Sequence, residues 1–110
     1  MPTTIKVLGQ LRPADVNPAV LYQPAVNVEG VIRNITVCNV TDNDVFFRIF
    51  IDADGTAQTE DEALFWDVIL EAASTLDIEI NTGLNELGSL SVRSDTPDGI
   101  NFTAHGAEIT

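Results

Sequence analysis

Thr75-Leu76-Asp77-Ile78-Glu79-Ile80 decides the fold class. Leu76, Ile78 and Ile80 fall on one side of an extended chain, and Thr75, Asp77 and Glu79 on the other. That alternation is the period of a strand with one buried and one wet face. Working outward, Ser89-Leu90-Ser91-Val92-Arg93-Ser94 alternates in the same way. So does Ile100-Asn101-Phe102-Thr103-Ala104-His105, with Ile100, Phe102 and Ala104 expected inward. Toward the N-terminus, Val31 to Val40 and Val45 to Ile51 are apolar on both sides and rich in β-branched and aromatic residues, the types that pack well on a pleated surface. Thr41-Asp42-Asn43-Asp44 between them is a cluster of turn formers, so the pair reads as a central hairpin. Ile5 to Leu8 and Ala19 to Gln23 read as two earlier strands. Pro13 and Pro18 in the segment between them interrupt any ladder.

Residues 59–73 carry two signals. Glu62 follows Thr59 at the spacing of a capping box, which would start a helix over Ala63 to Ala73. Against that, Leu64-Phe65-Trp66-Asp67-Val68-Ile69-Leu70 is aromatic and β-branched, and the strand reading agrees with the rest of the chain. Eight strands are therefore expected, over about 4–10, 19–24, 30–40, 45–52, 63–70, 74–80, 89–94 and 100–109. Turn signals punctuate them at Asp42-Asn43-Asp44, Asp54-Gly55, Asn81-Thr82-Gly83 and Pro97-Asp98-Gly99. Short strands at such regular spacing predict an all-β, antiparallel, eight-stranded β-sandwich of jelly-roll type, in one domain over residues 1–110.

Composition narrows the functions. With 45% apolar residues, the chain has the means to build a core and is not expected to be disordered. No apolar run approaches the ~20 residues of a spanning helix. The opening Met1-Pro2-Thr3-Thr4-Ile5-Lys6 lacks the pattern of a secretory leader, so synthesis in a cytosol is expected. Seventeen acids against five bases give a formal charge of -12, and Lys6 is the one lysine. Such a surface repels phosphate backbones and anionic bilayers, which argues against nucleic-acid and membrane partners. It suits a subunit kept soluble before assembly, a salty habitat, or a basic partner surface. Cys38 is the single cysteine, so no disulfide forms within the chain. It is expected as a small buried hydrophobe.

Catalytic chemistry needs convergent groups, and few are present. His105 is the only imidazole and is expected to face outward on the last strand. The chain has no nucleophile elbow, phosphate loop or dinucleotide fingerprint. Asp52-Ala53-Asp54-Gly55 resembles the start of a calcium loop, but the twelfth position, where a bidentate Glu is needed, is Ala63. A plain turn is the expected reading, with Glu60, Asp61 and Glu62 nearby. No catalytic, cofactor-binding or metal-ligating residue is assigned, and the chain is not expected to be an enzyme. Asn34, Asn39 and Asn101 head Asn-x-Thr triplets, to which no role is given without a leader. Adjacent Phe46-Phe47 and Phe65-Trp66 must point to opposite faces if they lie in strands. One member of each pair then meets a second layer or a neighbouring subunit.

Several of these stretches, taken in order, carry a family resemblance. Lys6-Val7-Leu8-Gly9-Gln10, Val37-Cys38-Asn39, Phe47-Arg48-Ile49, and the closing Phe102-Thr103-Ala104-His105-Gly106-Ala107-Glu108-Ile109 resemble a group of small phage and prophage virion proteins. Those share a K-x-L-G-Q opening, a V-C-N strand, an F-R-I strand and an ending close to F-T-A-x-G-x-E-I. The chain departs from them in its longer Pro24 to Gly30 segment and its strong acidity. The resemblance implies a β-sandwich accessory subunit of a tailed phage: a head decoration (cement) protein, a neck or head fibre, or a tail-associated piece. Expected partners are further copies of itself, as a homo-oligomer with a trimer as the expected state, and major capsid or other virion proteins. The expected location is the virion. A carbohydrate-binding adhesion module is the alternative.

Overall fold

In the computed structural model, which describes residues 2–110, nearly every regular element is a strand. Strands β1 (Thr3–Leu11), β2 (Ala19–Tyr22), β3 (Glu29–Asn39), β4 (Val45–Asp52), β5 (Ala63–Leu70), β6 (Thr75–Leu84), β7 (Ser89–Ser94) and β8 (Ile100–Ile109) form two four-stranded antiparallel sheets. Sheet A runs β1-β8-β3-β6 and sheet B runs β2-β7-β4-β5. The first strand pairs with the last, the second with the seventh, the third with the sixth and the fourth with the fifth. One long antiparallel ribbon has thus been rolled around the core, which is the jelly-roll winding.

The expected strand set holds, and residues 63–70 are a strand, not a helix. The capping box is also real: Thr59 and Glu62 cap each other across a single 3-10 turn, Glu60–Glu62, that ends where β5 begins. Two expectations about the elements fail. Segments 30–40 and 45–52 are not a hairpin, because β3 lies in sheet A between β8 and β6 while β4 lies in sheet B between β7 and β5. Their apolar runs each need two strand neighbours and a facing sheet, and crossing from one layer to the other supplies both. Asn81-Thr82-Gly83 is not a turn but the continuation of β6. Asn81, at φ 45°, sits where the β3–β6 register shifts between the Ile32–Thr82 and Asn34–Glu79 pairs, so its turn propensity is spent on a β-bulge. The reversal comes later, at Asn85–Gly88, where the Gly88 amide donates to the Asn85 carbonyl.

The core lies between the sheets. Ile32, Ile35 and Val37 from β3, Phe102 and Ala104 from β8, Phe47 and Ile49 from β4, and Leu90 and Val92 from β7 are all fully buried. Phe47 meets Phe102 of the opposite sheet edge-on, with ring centroids 6.4 Å apart. Ile100, Phe102 and Ala104 point inward as the alternation requires. Cys38 does not: Val37 and Asn39 are the buried neighbours, so Cys38 is half-buried on the outer face, where its Sγ receives the Thr75 hydroxyl at 3.5 Å.

Asn39 ends β3 facing the interior, only 2% exposed. Its amide nitrogen donates to the carbonyls of Asn43, Leu70 and Glu71 at 2.8, 3.1 and 3.0 Å. Its oxygen accepts from the Thr41 amide at 2.9 Å and hydroxyl at 2.8 Å. One side chain therefore ties the β3–β4 corner to the end of β5. At the opposite end of the barrel-like roll, the Tyr22 ring lies against Gly30, where any Cβ would overlap it. The Tyr22 hydroxyl donates to Glu108 Oε2 at 2.7 Å, and Lys6 donates to Oε1 at 3.0 Å. Among the described residues every buried side-chain polar atom has a partner.

Candidate functional site: the outer faces of the two sheets

The outer faces differ in chemistry. Sheet A presents a polar row. Asn34 donates to Asp77 at 2.7 Å, the Thr36 hydroxyl lies 3.1 Å from His105 Nε2, and Gln10 donates to Thr103 at 3.3 Å. His105 faces outward as expected, with Asn34 and Val7 opposite it on the neighbouring strands. Ile5 and Val7 of β1, 81% and 52% exposed, flank this polar row at the sheet edge.

Sheet B does not follow that pattern. Phe46 and Phe47 straddle β4, with Phe47 in the core and Phe46 outside. Phe65 and Trp66 straddle β5, with Phe65 against Phe47 at 6.4 Å and Trp66 outside, 42% exposed. Leu64 and Ile69 also point outward from β5, and Ile69 pairs directly with Phe46 across the ladder. Phe46, Leu64, Trp66 and Ile69 thus form an exposed apolar row at the edge of sheet B. Exposed apolar side chains grouped on one face are the material from which contact surfaces are made.

Three charged side chains organise the middle of the row. Phe47 pairs with Val68 and Ile49 with Phe65, so two residues of β5, Trp66 and Asp67, span one residue of β4. Asp67 is the extra residue of that bulge, at φ 51°. The bulge turns its carboxylate onto Arg48, with contacts of 2.7 and 3.0 Å from Nε and Nη2, and within 3.8 Å of Arg93. The Arg48 hydrogen bonds hold the Asp67 carboxyl below the usual carboxylate range, with the charges of Arg48 and Arg93 adding to the effect. In return Arg48 is held more firmly protonated. The Arg48 guanidinium also lies 3.6 Å from the centre of the Trp66 ring, a cation–π contact that covers one indole face. Phe50 meets Trp66 edge-on at 6.3 Å.

The long β4–β5 connection covers the rest of sheet B. Gln58 donates to the buried Ser91 hydroxyl at 3.0 Å, and the buried Ser89 hydroxyl donates to the Gly55 carbonyl at 2.7 Å. Phe50, outward on β4, is only 1% exposed. The Asp52-Ala53-Asp54-Gly55 stretch is the hinge of this loop. Asp52 accepts the amides of Asp54 at 3.1 Å and Ala57 at 2.9 Å, and these bonds hold its carboxyl below the ordinary range. Its oxygens are thereby occupied by backbone. Among the described residues no three metal-ligating side chains converge.

Sequence reasoning found the paired aromatics but missed the Arg48–Asp67–Arg93 cluster. One charged residue inside the apolar run 64–70 was the available signal. That its partners would be Arg48 and Arg93 depends on β4 lying beside both β5 and β7, which no local pattern encodes.

No protein-family model matches the chain, and no curated protein matches it. Solved structures do resemble it. The Gx strain of infectious bursal disease virus gives a TM-score of 0.55 at 14% identity, covering 97% of this chain and 32% of that one. The VP2 subviral particle of the same virus gives 0.55 at 11% identity, over 97% and 32%. Its T13 viral particle gives 0.53 at 10%, over 96% and 30%. The likeness is one of fold. This chain spans about a third of the length of those proteins, and at such identities the likeness speaks for architecture alone.

Proposed function

We propose that this chain is a structural subunit of a virus particle, a capsid decoration protein of a tailed phage that assembles with copies of itself and with capsid subunits. The observation that carries the reading is the apolar row Phe46, Leu64, Trp66 and Ile69, exposed on the outer face of sheet B. Fold likeness to proteins of a virus particle supports it, as does the motif order shared with small phage virion proteins. Burial of apolar strand faces between subunits supplies adhesion, and the acidic remainder of the surface keeps unassembled copies apart in solution. Contacts that are individually modest then add up over many copies on one particle. A homotrimer is the expected assembly unit. The fibre and tail roles rest on the same fold and differ only in the partner.

The adhesion-module alternative needs a free aromatic platform. Trp66 has Arg48 over one face, so the platform is already partly occupied. The deciding experiment mixes purified chain with separated capsids and tails, pellets each, and probes the chain in parallel on a glycan array. Saturable co-sedimentation with capsids supports decoration. Binding to tails alone moves the subunit to the tail. Glycan binding without particle binding overturns the structural role.

A further inference from the structure

The first half of β1 is an open edge. Among the described residues β1 pairs only with β8. Thr3 to Val7 is exposed at every position, on both faces, so sheet B leaves this half of the strand uncovered. Cover returns at Gly9, where an added Cβ would meet the Leu21 carbonyl of β2. Two hydrogen bonds fix which way the backbone of the open half points. The Thr110 amide donates to the Pro2 carbonyl at 3.1 Å, and the Val40 amide to the Gly99 carbonyl at 3.0 Å. Backbone groups alternate in direction along an antiparallel strand, so even-numbered residues of β8 bond toward β1 and odd-numbered ones toward β3. Thr4 and Lys6 therefore bond to Glu108 and Gly106, while Thr3, Ile5 and Val7 turn their N–H and C=O groups to the open edge. The side chains of Thr3, Ile5 and Val7 share the outer face of sheet A, since Val7 lies opposite His105.

The other three edges are guarded. β2 has four residues and a register shift. β5 is broken by the bulge at Asp67. β6 has its bulge at Asn81 and carries Asp77 and Glu79 on the outer face. Short edges, bulges and charges are the devices that keep sheets from joining. Over Thr3 to Val7 the register with β8 is unbroken, and the one charge, on Lys6, points to the other face and is bonded to Glu108.

We propose that two copies of this chain join edge to edge through β1, antiparallel about a two-fold axis at Ile5, so that sheet A runs on into sheet A of the second copy. The segment is its own complement. Ile5 falls opposite Ile5 of the second copy, Thr3 opposite Val7, and Lys6 opposite Thr4, so β-branched side chains meet on the outer face and the two lysines do not. The open groups of Thr3, Ile5 and Val7 then form about six main-chain hydrogen bonds, two for each facing pair. The same operation on β6 about Asp77 would set two carboxylates against each other. Main-chain bonds rather than apolar area hold a contact of this kind. It belongs with the small, transient interfaces of under about 1,200 Å², which gain strength by repetition on a particle. The inference rests on the assembly reading and adds one contact to it. A two-fold contact closes with two copies, and where copies are also held in trimers it links one trimer to the next.

The test places single cysteines on the full chain, with Cys38→Ser as the background, and follows disulfide dimers under mild oxidation. Directly facing residues of a bonded antiparallel pair have Cα atoms about 5.5 Å apart, within reach of a disulfide. Ile5→Cys should cross-link to itself about tenfold faster than Thr3→Cys or Val7→Cys alone, whose own copies lie too far apart. Mixing Thr3→Cys with Val7→Cys should restore fast cross-linking. Ile5→Pro removes an N–H that β8 does not use, so it should keep the fold and weaken the contact. Circular dichroism and melting temperature check that each variant folds. Sedimentation equilibrium should show self-association of Ile5→Pro weakened roughly tenfold. Equal cross-linking at all three positions overturns the pairing, as does an Ile5→Pro variant that associates like wild type. The expected cross-links in a chain that does not pellet with capsids uphold this contact and count against the virion role. A chain that pellets with capsids while its cysteines cross-link indiscriminately overturns this contact and leaves that role standing.

Discussion

Replacing Asn39 by Ala is expected to be the most damaging change of one polar side chain in this protein. The side chain is buried, and its five hydrogen bonds join the β3–β4 corner to the end of β5. Truncation strands the Leu70 carbonyl, which is buried, and the Thr41 amide, which is partly so. A buried group left without a partner costs about 1–3 kcal/mol. Water can reach the Asn43 and Glu71 carbonyls at the rim, so those add little, and the sum is about 3 kcal/mol. That is a large share of the roughly 5–15 kcal/mol by which domains are stable. At about 4 °C per kcal/mol for a chain of this size, the melting temperature should fall by ~12 °C. Equilibrium urea unfolding of wild type and variant, compared at equal slope, measures the difference. Asn34→Ala is the control, since Asn34 bonds Asp77 on the wet face, and it should cost less than about 1 kcal/mol. If Asn39→Ala costs no more than Asn34→Ala, the corner is not held in the way described.

The Tyr22–Glu108–Lys6 group links stability to acid. The Tyr22 hydroxyl, and after it Lys6, hold the Glu108 carboxyl below its ordinary value. A carboxylate with a depressed folded pKa contributes stability that is complete above its unfolded value of 4.5 and is lost as pH falls through the folded value. Tyr22→Phe removes the larger cause, so it should cost about 1.5–2 kcal/mol at pH 7 and lose less on acidification, as urea midpoints at pH 7 and at about pH 3 would measure. Ala73 holds φ 55° in the β5–β6 turn, a region where a Cβ is strained. Ala73→Gly should stabilise by about 0.5–1 kcal/mol after the unfolded-state entropy of glycine is charged against it, and scanning calorimetry should show the rise in melting temperature.

Most of the fold could be read locally because this chain writes its strands plainly. Leu76–Ile80 and Ile100–Ala104 alternate without interruption, and β4, β5, β7 and β8 begin and end where side-chain pattern and turn residues place them. What failed were the statements that depend on distant partners. Thr41–Asp44 marks a reversal, but turn residues do not say whether the next strand pairs with the last one or crosses to the other sheet. Asn81 and Asp67 both look like interruptions, and both are bulges inside strands, where left-handed backbone adds a residue without ending the ladder. Cys38 was misplaced because Asn39 takes the inward position. The expectation rested on the burial tendency of free cysteine, whereas alternation with Ile35 and Val37 turns Asn39 inward, where the carbonyls of Leu70 and Glu71 satisfy its amide. The apolar row on sheet B was foreshadowed by the doubled aromatics, whereas the arginines that frame it came together only through the β5-β4-β7 order.

The central claim is that this sandwich is built to be part of a particle. Its most direct test is the composition of particles produced from the genome that encodes the chain, purified by density gradient and quantified by peptide mass spectrometry against a capsid subunit. The account predicts many copies per particle, in a fixed ratio to the capsid subunit, that stay with the particle through repeated banding. Particles that carry none of this chain, while it accumulates free in the lysate, would contradict it.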